Sequence, residues 1–159
     1  MKSIFILIFI YSLSIFAYMQ ATAGEKCNLN QLSPMQSRAI KYLEKIKGDK
    51  QIGRCDISIN YEIACLNNKA WLYTEVFIHK KNKSWSFLSA LAADDLTSDI
   101  WKVAANTIYM KDTKAYSRPR DYRTLKIRWD ELGLRSVTMK DHIYYPPFGY
   151  PSYDRIFCK

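Results

Sequence analysis

A strict alternation of side-chain type runs through residues 55–65. Every second position is Cys, Ile or Tyr, and the positions between them are polar or small. This two-residue period predicts a strand with one buried face. Asn67-Asn68 then suits a tight turn, because asparagine tolerates left-handed backbone conformations. Further strands are predicted over 70–79 and 84–88, which continue the first as an antiparallel meander, and over 125–129 and 134–140.

Two other segments show helical periodicity. Ser33, Pro34 and Gln36 predict a helix start with a capping serine, a proline suited to the first turn and a capping-box glutamine. Apolar side chains then recur at helical spacing up to Gly48. The cationic outer side of this helix also suits a membrane surface, but packing on a sheet is the preferred interpretation.

A second helix is predicted over 94–109, where apolar positions share one face and aspartates come early. The expected fold class is therefore α+β. In this fold a small antiparallel sheet, made of the meander and the C-terminal strands, packs with two helices and is held by two disulfides.

Residues 1–23 have the character of a secretory signal peptide. Lys2 precedes an apolar run from Ile4 to Tyr18, and Ala21-Thr22-Ala23 places small residues where a signal peptidase reads. Cleavage after Ala23 predicts a single domain over 24–159, secreted or periplasmic, with no stable membrane span. An uncleaved anchor is the alternative, but the apolar run is short for a spanning helix.

The cysteines, Cys27, Cys55, Cys65 and Cys158, all follow the predicted signal peptide. An even number in an exported chain predicts two disulfides, and metal binding is disfavoured because the closely spaced ligand pair of a zinc site is missing. Along an unbroken strand Cys55 and Cys65 would lie about 33 Å apart, whereas a disulfide spans about 7 Å. We therefore expect each of them to bond a terminal cysteine, unless the strand folds back near Asn60.

Charge and aromatic content describe the surface. The chain of 159 residues has 24 Lys and Arg against 15 Asp and Glu, a formal charge of +9, and 12 tyrosines. Basic residues concentrate in 111–128, and aromatic residues crowd the tail that follows. Since arginine pairs with carboxylates and tyrosine buries a large area at low entropy cost, we predict a docking face for an acidic protein or an anionic envelope or cell-surface polymer. The candidate binding residues are Arg118, Arg120, Arg123, Lys126, Arg128, Tyr145, Phe148 and Tyr150.

The preferred function is that of a basic binding protein, of the inhibitor, immunity or effector kind, acting without catalysis or a cofactor. The chain has no G-x-S-x-G, Gly-rich phosphate loop or H-E-x-x-H motif. A small secreted nuclease or other hydrolase is the alternative, with His79, His142 and Glu75 as catalytic groups, an arginine clamp, and nucleic acid as partner. That alternative requires His79 or His142 to share a cleft with Glu75 or an arginine, whereas a binding protein does not.

Overall fold

A computed structural model of the chain describes residues 32–93, 101–112 and 120–159. Within these ranges the chain forms one helix, α1 (Pro34–Ile46), and two antiparallel sheets. The first sheet has the order β1 (Gly48–Ile52), β2 (Cys55–Leu66), β3 (Lys69–Lys80) and β4 (Lys83–Ala92). The second sheet has the order β5 (Trp101–Ala104), β6 (Thr107–Lys111), β7 (Tyr122–Asp130), β8 (Gly133–His142) and β9 (Ser152–Cys158). The fold is β-rich and broadly α+β, which confirms the predicted class. The prediction of a single sheet is wrong, because the meander and the C-terminal strands pair only among themselves and form separate sheets.

Helix α1 forms as its sequence predicts. The backbone N–H of Gln36 donates to Ser33 Oγ (3.2 Å), and the N–H of Ser33 donates to Gln36 Oε1 (2.9 Å), which completes the capping box. The Gln36 amide is itself buried and donates to the carbonyl oxygens of Ala70 on β3 (2.9 Å) and Leu91 on β4 (2.8 Å). Ala39, Leu43 and Ile46 are also buried, so this helix packs on the sheets.

The meander of the first sheet confirms the alternation seen in the sequence. Strand β2 runs unbroken through Asn60 to Leu66, and Asn67 and Asn68 take positive φ values of 52° and 58° in the turn to β3. Strand β4 extends beyond the predicted 84–88, and β1 was not predicted. Gly48 ends the helical segment with a φ of +86°, a conformation that glycine adopts at little cost.

The second predicted helix, over 94–109, is wrong for the part that the structure describes. Residues 101–111 form the β5–β6 hairpin, in which Trp101 pairs with Met110 and Val103 with Ile108. Residues 94–100 lie outside the described residues. The apolar spacing of this segment fits one helix face as well as two short strands. Because the chain turns at Ala105-Asn106, Trp101 and Met110 lie opposite each other on paired strands, and both side chains are buried.

Both sheets contribute their inner faces to one hydrophobic core. In the second sheet the buried positions alternate along β7, where Leu125, Ile127 and Trp129 point inward. A short polar bridge also links the sheets. The indole Nε1 of Trp101 donates to Ser89 Oγ (3.0 Å), and this hydroxyl donates to the Lys111 carbonyl oxygen (2.7 Å).

A disulfide joins the two sheets. Cys55 at the start of β2 bonds Cys158 at the end of β9, with Cα atoms 6.0 Å apart. This pairing confirms that Cys55 bonds a terminal cysteine and that Cys158 ties the tail to the body. Cys65 is not free, and Cys27 lies outside the described residues. The predicted signal peptide over 1–23 also lies outside them, and in the described part of the chain no helix is long and apolar enough to cross a membrane.

Candidate binding face and tyrosine cluster

The outer side of the second sheet carries a band of cations. Because Leu125, Ile127 and Trp129 point into the core, the intervening Lys126 and Arg128 must point outward. The strand register continues this side across the sheet, since Lys126 pairs with Tyr109 on β6 and with Thr138 on β8. We name this surface the basic face and define it by its outward cations: Lys102, Lys111, Lys126, Arg128 and Lys140.

Two cations on β7 in the basic face are uncompensated by any described acidic residue. Lys126 and Arg128 are exposed and form no ion pair with any described acidic residue. Lys140 differs, because its Nζ lies 3.3 Å from Asp154 Oδ1. The local potential at the centre of the basic face is therefore positive and available to an anionic partner.

Aromatic rings gather at one edge of the basic face. Tyr122 stacks on the His142 imidazole, with ring centroids 4.4 Å apart and planes 6° from parallel. Tyr150 lies between two tyrosines, 5.4 Å from Tyr122 and 5.2 Å from Tyr144. We name Tyr122, His142, Tyr144 and Tyr150 the tyrosine cluster.

Two cations lie against the rings of the tyrosine cluster. Lys111 Nζ is 4.2 Å from the Tyr122 ring centroid, and the Arg120 guanidinium carbon is 4.6 Å from that of Tyr144. Such cation–π contacts fix long, flexible side chains at a defined place. The tail is held as well, because the Tyr144 N–H donates to Asp121 Oδ1 (3.0 Å). These charges and rings are thus held in place by contacts within the chain itself.

His142 lies at the end of β8, under the Tyr122 ring of the tyrosine cluster. A hydrogen bond of 2.9 Å joins its Nε2 to the buried Thr124 Oγ1. Burial lowers the pKa of His142 below its usual 6.5, and the positive charges of Lys140 and Lys111 lower that pKa further, against an opposing contribution from Asp141. The lowered pKa favours the neutral imidazole over the imidazolium, and the ring stacks against Tyr122.

Arg123 lies on the other side of β7 from Lys126 and Arg128. Its Nε donates to Asp141 Oδ1 (2.9 Å), and Arg155 Nε lies 3.1 Å from Asp141 Oδ2. Its guanidinium also reaches the Ser86 carbonyl oxygen at 3.4 Å, across to the first sheet. Arg123 therefore joins strands and sheets, and its guanidinium is ion-paired inside the molecule with a carboxylate that it shares with Arg155.

The remaining candidate binding residues belong to the tail. Tyr145 and Phe148 lie on a tight turn, in which the Tyr145 N–H donates to the Gly149 carbonyl oxygen (2.9 Å). Phe148 is 85% exposed, so a large apolar ring stands in solvent next to the tyrosine cluster. Arg118 lies outside the described residues.

The two histidines lie on different sheets. His79 is exposed on the outer side of β3, where its Nδ1 is 2.9 Å from Ser84 Oγ, whereas His142 belongs to β8 on the outer side of the second sheet. Glu75 shares the outer side of β3 with His79 but lies about 13 Å away along the strand. A shallow groove of about 430 Å³ next to His79 is lined by residues of β1, β2 and β3, and His142 is not among them. The described structure does not bring the proposed catalytic groups together.

Tyr122, Thr124 and Tyr144 were not among the predicted site residues, whereas Lys126 and Arg128 were. Tyr122, Thr124, Lys126 and Arg128 occupy every second position of β7, but only 125–129 was predicted as a strand. Extending the alternation back to Tyr122 was the signal that could have found the tyrosine cluster. Its partner His142 was seen only as a candidate catalyst.

Comparison with known proteins gives no external guide. No family model matches the chain, and no curated protein or solved structure is similar to it. Among the residues in the described ranges, no group of His, Cys, Asp and Glu side chains is arranged to hold a metal ion. Function is therefore derived from the chemistry of the site.

Proposed function

We propose that this chain is an exported binding protein, stabilised by two disulfides, that docks an acidic protein on its basic face and tyrosine cluster without catalysis. The leader over 1–23 and the Cys55–Cys158 bond support export. We infer that the second disulfide joins Cys65 to Cys27, because Cys65 is not free and Cys27 is the one cysteine of the sequence that remains.

One observation carries the proposal, namely the uncompensated Lys126 and Arg128 beside rings that are already fixed by Lys111 and Arg120. Exposed cations speed the approach of an anionic partner. Pre-positioned tyrosines then bind with little further loss of side-chain freedom. This combination of steering charge and rigid aromatic anchors is typical of protein interfaces.

An acidic protein fits this surface better than a charged polymer does. Phe148 at 85% exposure, together with Tyr145 and Tyr150, adds apolar area next to the charges. A polymer that presents only anionic groups gains nothing from that area, whereas a folded protein can bury it in the dry centre of an interface. An anionic envelope polymer is therefore an outcome of the test.

The test compares Lys126→Glu/Arg128→Glu with the control Lys41→Glu/Lys81→Glu, which makes the same charge change at exposed positions away from the basic face. Each mature protein is used to capture partners from the exported fraction of its native source, and association with immobilised poly-L-glutamate is measured in parallel. We expect the Lys126/Arg128 variant to associate with poly-L-glutamate about tenfold more slowly than the control. We also expect it to lose an acidic protein that the wild type and the control both recover.

Equal behaviour of the two variants would show that net charge alone drives binding and would contradict the proposal. Recovery of a protease-resistant polymer in place of a protein would assign the face to an envelope component. RNA cleavage that is lost in His79→Ala or His142→Ala would instead favour the nuclease alternative.

A further inference from the structure

The outer side of the first sheet has the opposite character to the basic face. Strand register places carboxylates of neighbouring strands on this side, since Asn60 pairs with Glu75 and Glu62 pairs with Tyr73. We name this surface the acidic face and define it by its outward carboxylates: Asp49, Asp56, Glu62 and Glu75. Lys69 stands at its far end.

Glu62 and Glu75 are diagonal neighbours at the centre of the acidic face. Neither forms an ion pair with a described basic residue, although the chain as a whole has an excess of cations. Burial raises the pKa of Glu75, and the negative charge of Glu62 raises it further. These carboxylates therefore repel each other, and a cation brought between them would relieve that repulsion.

Aromatic and apolar side chains share the acidic face with the carboxylates. The rings of Trp71 and Tyr73 lie 6.3 Å apart with planes 22° from parallel. Phe77 on the same strand is 44% exposed, and Leu88 on β4 is 41% exposed. Exposed apolar side chains grouped on one sheet face are typical of an interaction surface.

We infer that the acidic face of one copy of this chain docks on the basic face of a second copy, in a head-to-tail association. The charges match, because Glu62 and Glu75 of one copy meet the uncompensated Lys126 and Arg128 of the next. Both faces are outer sides of sheets, so they can stack at the spacing of about 10 Å that packed sheets adopt.

The size of the contact predicts its strength. Four strands spaced about 4.8 Å apart and about ten residues long present roughly 600 Å² per copy, or about 1,200 Å² in total. This area lies at the lower end of specific interfaces, so the association is weak and depends on concentration. Since two different surfaces meet, the contact joins copies head to tail into chains or rings and does not produce a two-fold symmetric dimer.

This inference rests on the proposed function only in using the same basic face. A second copy and the acidic partner therefore compete for Lys126 and Arg128. Self-association would keep the basic face covered until a stronger acidic ligand displaces the neighbouring copy.

Sedimentation of the mature protein over a range of concentrations tests the inference. We expect the average mass of the wild type to rise above that of one chain at about 0.01 M salt. At about 1 M salt, where the screening length falls from about 30 Å to about 3 Å, we expect the self-association constant to drop at least about tenfold. The Lys41→Glu/Lys81→Glu control is expected to behave as the wild type.

Complementary variants make the test specific. Glu62→Lys/Glu75→Lys has two basic faces and Lys126→Glu/Arg128→Glu has two acidic ones, so each alone is expected to stay monomeric. Mixed in equal amounts they restore the native contact, between the intact basic face of the first and the intact acidic face of the second, so the average mass of the mixture is expected to rise above that of one chain. Glu62→Gln/Glu75→Gln, also expected to be monomeric, serves if a charge reversal impairs folding.

Two results would overturn the inference. One is a wild type that stays monomeric at every concentration in low salt, and the other is a mixture of the complementary variants that fails to associate. Poly-L-glutamate binding separates this failure from failure of the proposed function, because Glu62→Gln/Glu75→Gln leaves the basic face intact without adding a cation to the acidic face and is expected to bind poly-L-glutamate as the wild type does.

Discussion

The inner sides of the two sheets are both apolar and buried, whereas their outer sides carry opposite charges. Ile57, Ile59 and Val76 in the first sheet correspond to Leu125 and Ile127 in the second as buried members of one core. Outward, the first sheet presents carboxylates and the second presents lysines and arginines. The comparison teaches that the inward positions of both sheets build the shared core, while the outward positions are free to differ in charge.

The sheets also differ in regularity. Strand pairing in the first sheet proceeds without a shift, whereas the second has irregular register between Arg128 and Trp129 and between Met139 and Lys140. Bulges re-aim side chains and end regular pairing. The irregular sheet is also the one that carries the tyrosine cluster, so this chain places its candidate site where its β-structure is least uniform.

The strongest test of the shared core is Trp101→Ala. Trp101 is fully buried and its indole donates to Ser89 of the first sheet, so its removal leaves a cavity and breaks one buried hydrogen bond between the sheets. We expect a loss of about 4 kcal/mol in the free energy of unfolding, measured by urea denaturation. Lys102→Ala, one position along and exposed, is expected to change it by less than about 0.5 kcal/mol. Similar losses in both variants would contradict the strand assignment of β5.

The next largest effect concerns the covalent link between the sheets. Cys55→Ser/Cys158→Ser opens a loop with a sequence separation of 103 residues, and we expect a loss of about 3 kcal/mol. Hydrogen exchange is expected to accelerate in β9 more than in β3, because β9 pairs only with β8 among the described strands. Equal acceleration in both strands would show that the disulfide supports the whole fold and not the edge of the second sheet.

A smaller effect separates the two roles of arginine on β7. Arg123 is only 15% exposed and pairs with Asp141, so Arg123→Gln is expected to lower the free energy of unfolding by about 1.5 kcal/mol. Arg128→Gln, on the opposite side of the strand, is expected to change it by less than about 0.5 kcal/mol and to slow association with poly-L-glutamate. The reverse assignment, with Arg128 stabilising and Arg123 binding, would invalidate the two-sided description of β7.

The smallest effect is a pH dependence that belongs to the second sheet alone. Because the pKa of His142 is lowered in the folded state, the unfolded chain binds more protons near that pKa. The free energy of unfolding is therefore unaffected by His142 protonation above 6.5, the usual pKa of histidine. It falls as the pH drops from 6.5 toward the lower pKa of His142 in the folded state. We expect the stability difference between wild type and His142→Gln to shrink over this range in urea titrations. A difference that grows on acidification would mean that the folded state favours the imidazolium.

The helix and the first sheet could be predicted from the sequence because the residues that determine them are close together along the chain. The Ser33–Gln36 capping box and the Asn67-Asn68 turn need no information from distant residues. The second sheet depends on long-range pairing. Residues 101–111 fit a helix face or a hairpin equally well, and only the buried row shared by Trp101 and Met110 decides between them.

The candidate site was readable in part, for a similar reason. Composition identified 111–128 and the aromatic tail as the basic and aromatic segments, and Lys126 and Arg128 do lie on one outer side. Composition could not show that Arg123 faces inward, since a single shift of parity along β7 sends a side chain to the other face. The stacking of Tyr122 on His142 joins β7 to β8 and has no local sequence signal.

Gln36 makes the docking of α1 depend on the register between β3 and β4. Its amide reaches one carbonyl on β3 and one on β4, at Ala70 and Leu91, and these fall within reach together only in the native hairpin. A slip of two residues would keep every side chain on its proper face yet move one carbonyl about 7 Å away. Docking of α1 is therefore expected to follow formation of the β3–β4 hairpin and to reject slipped hairpins, which would leave a buried amide without its acceptor.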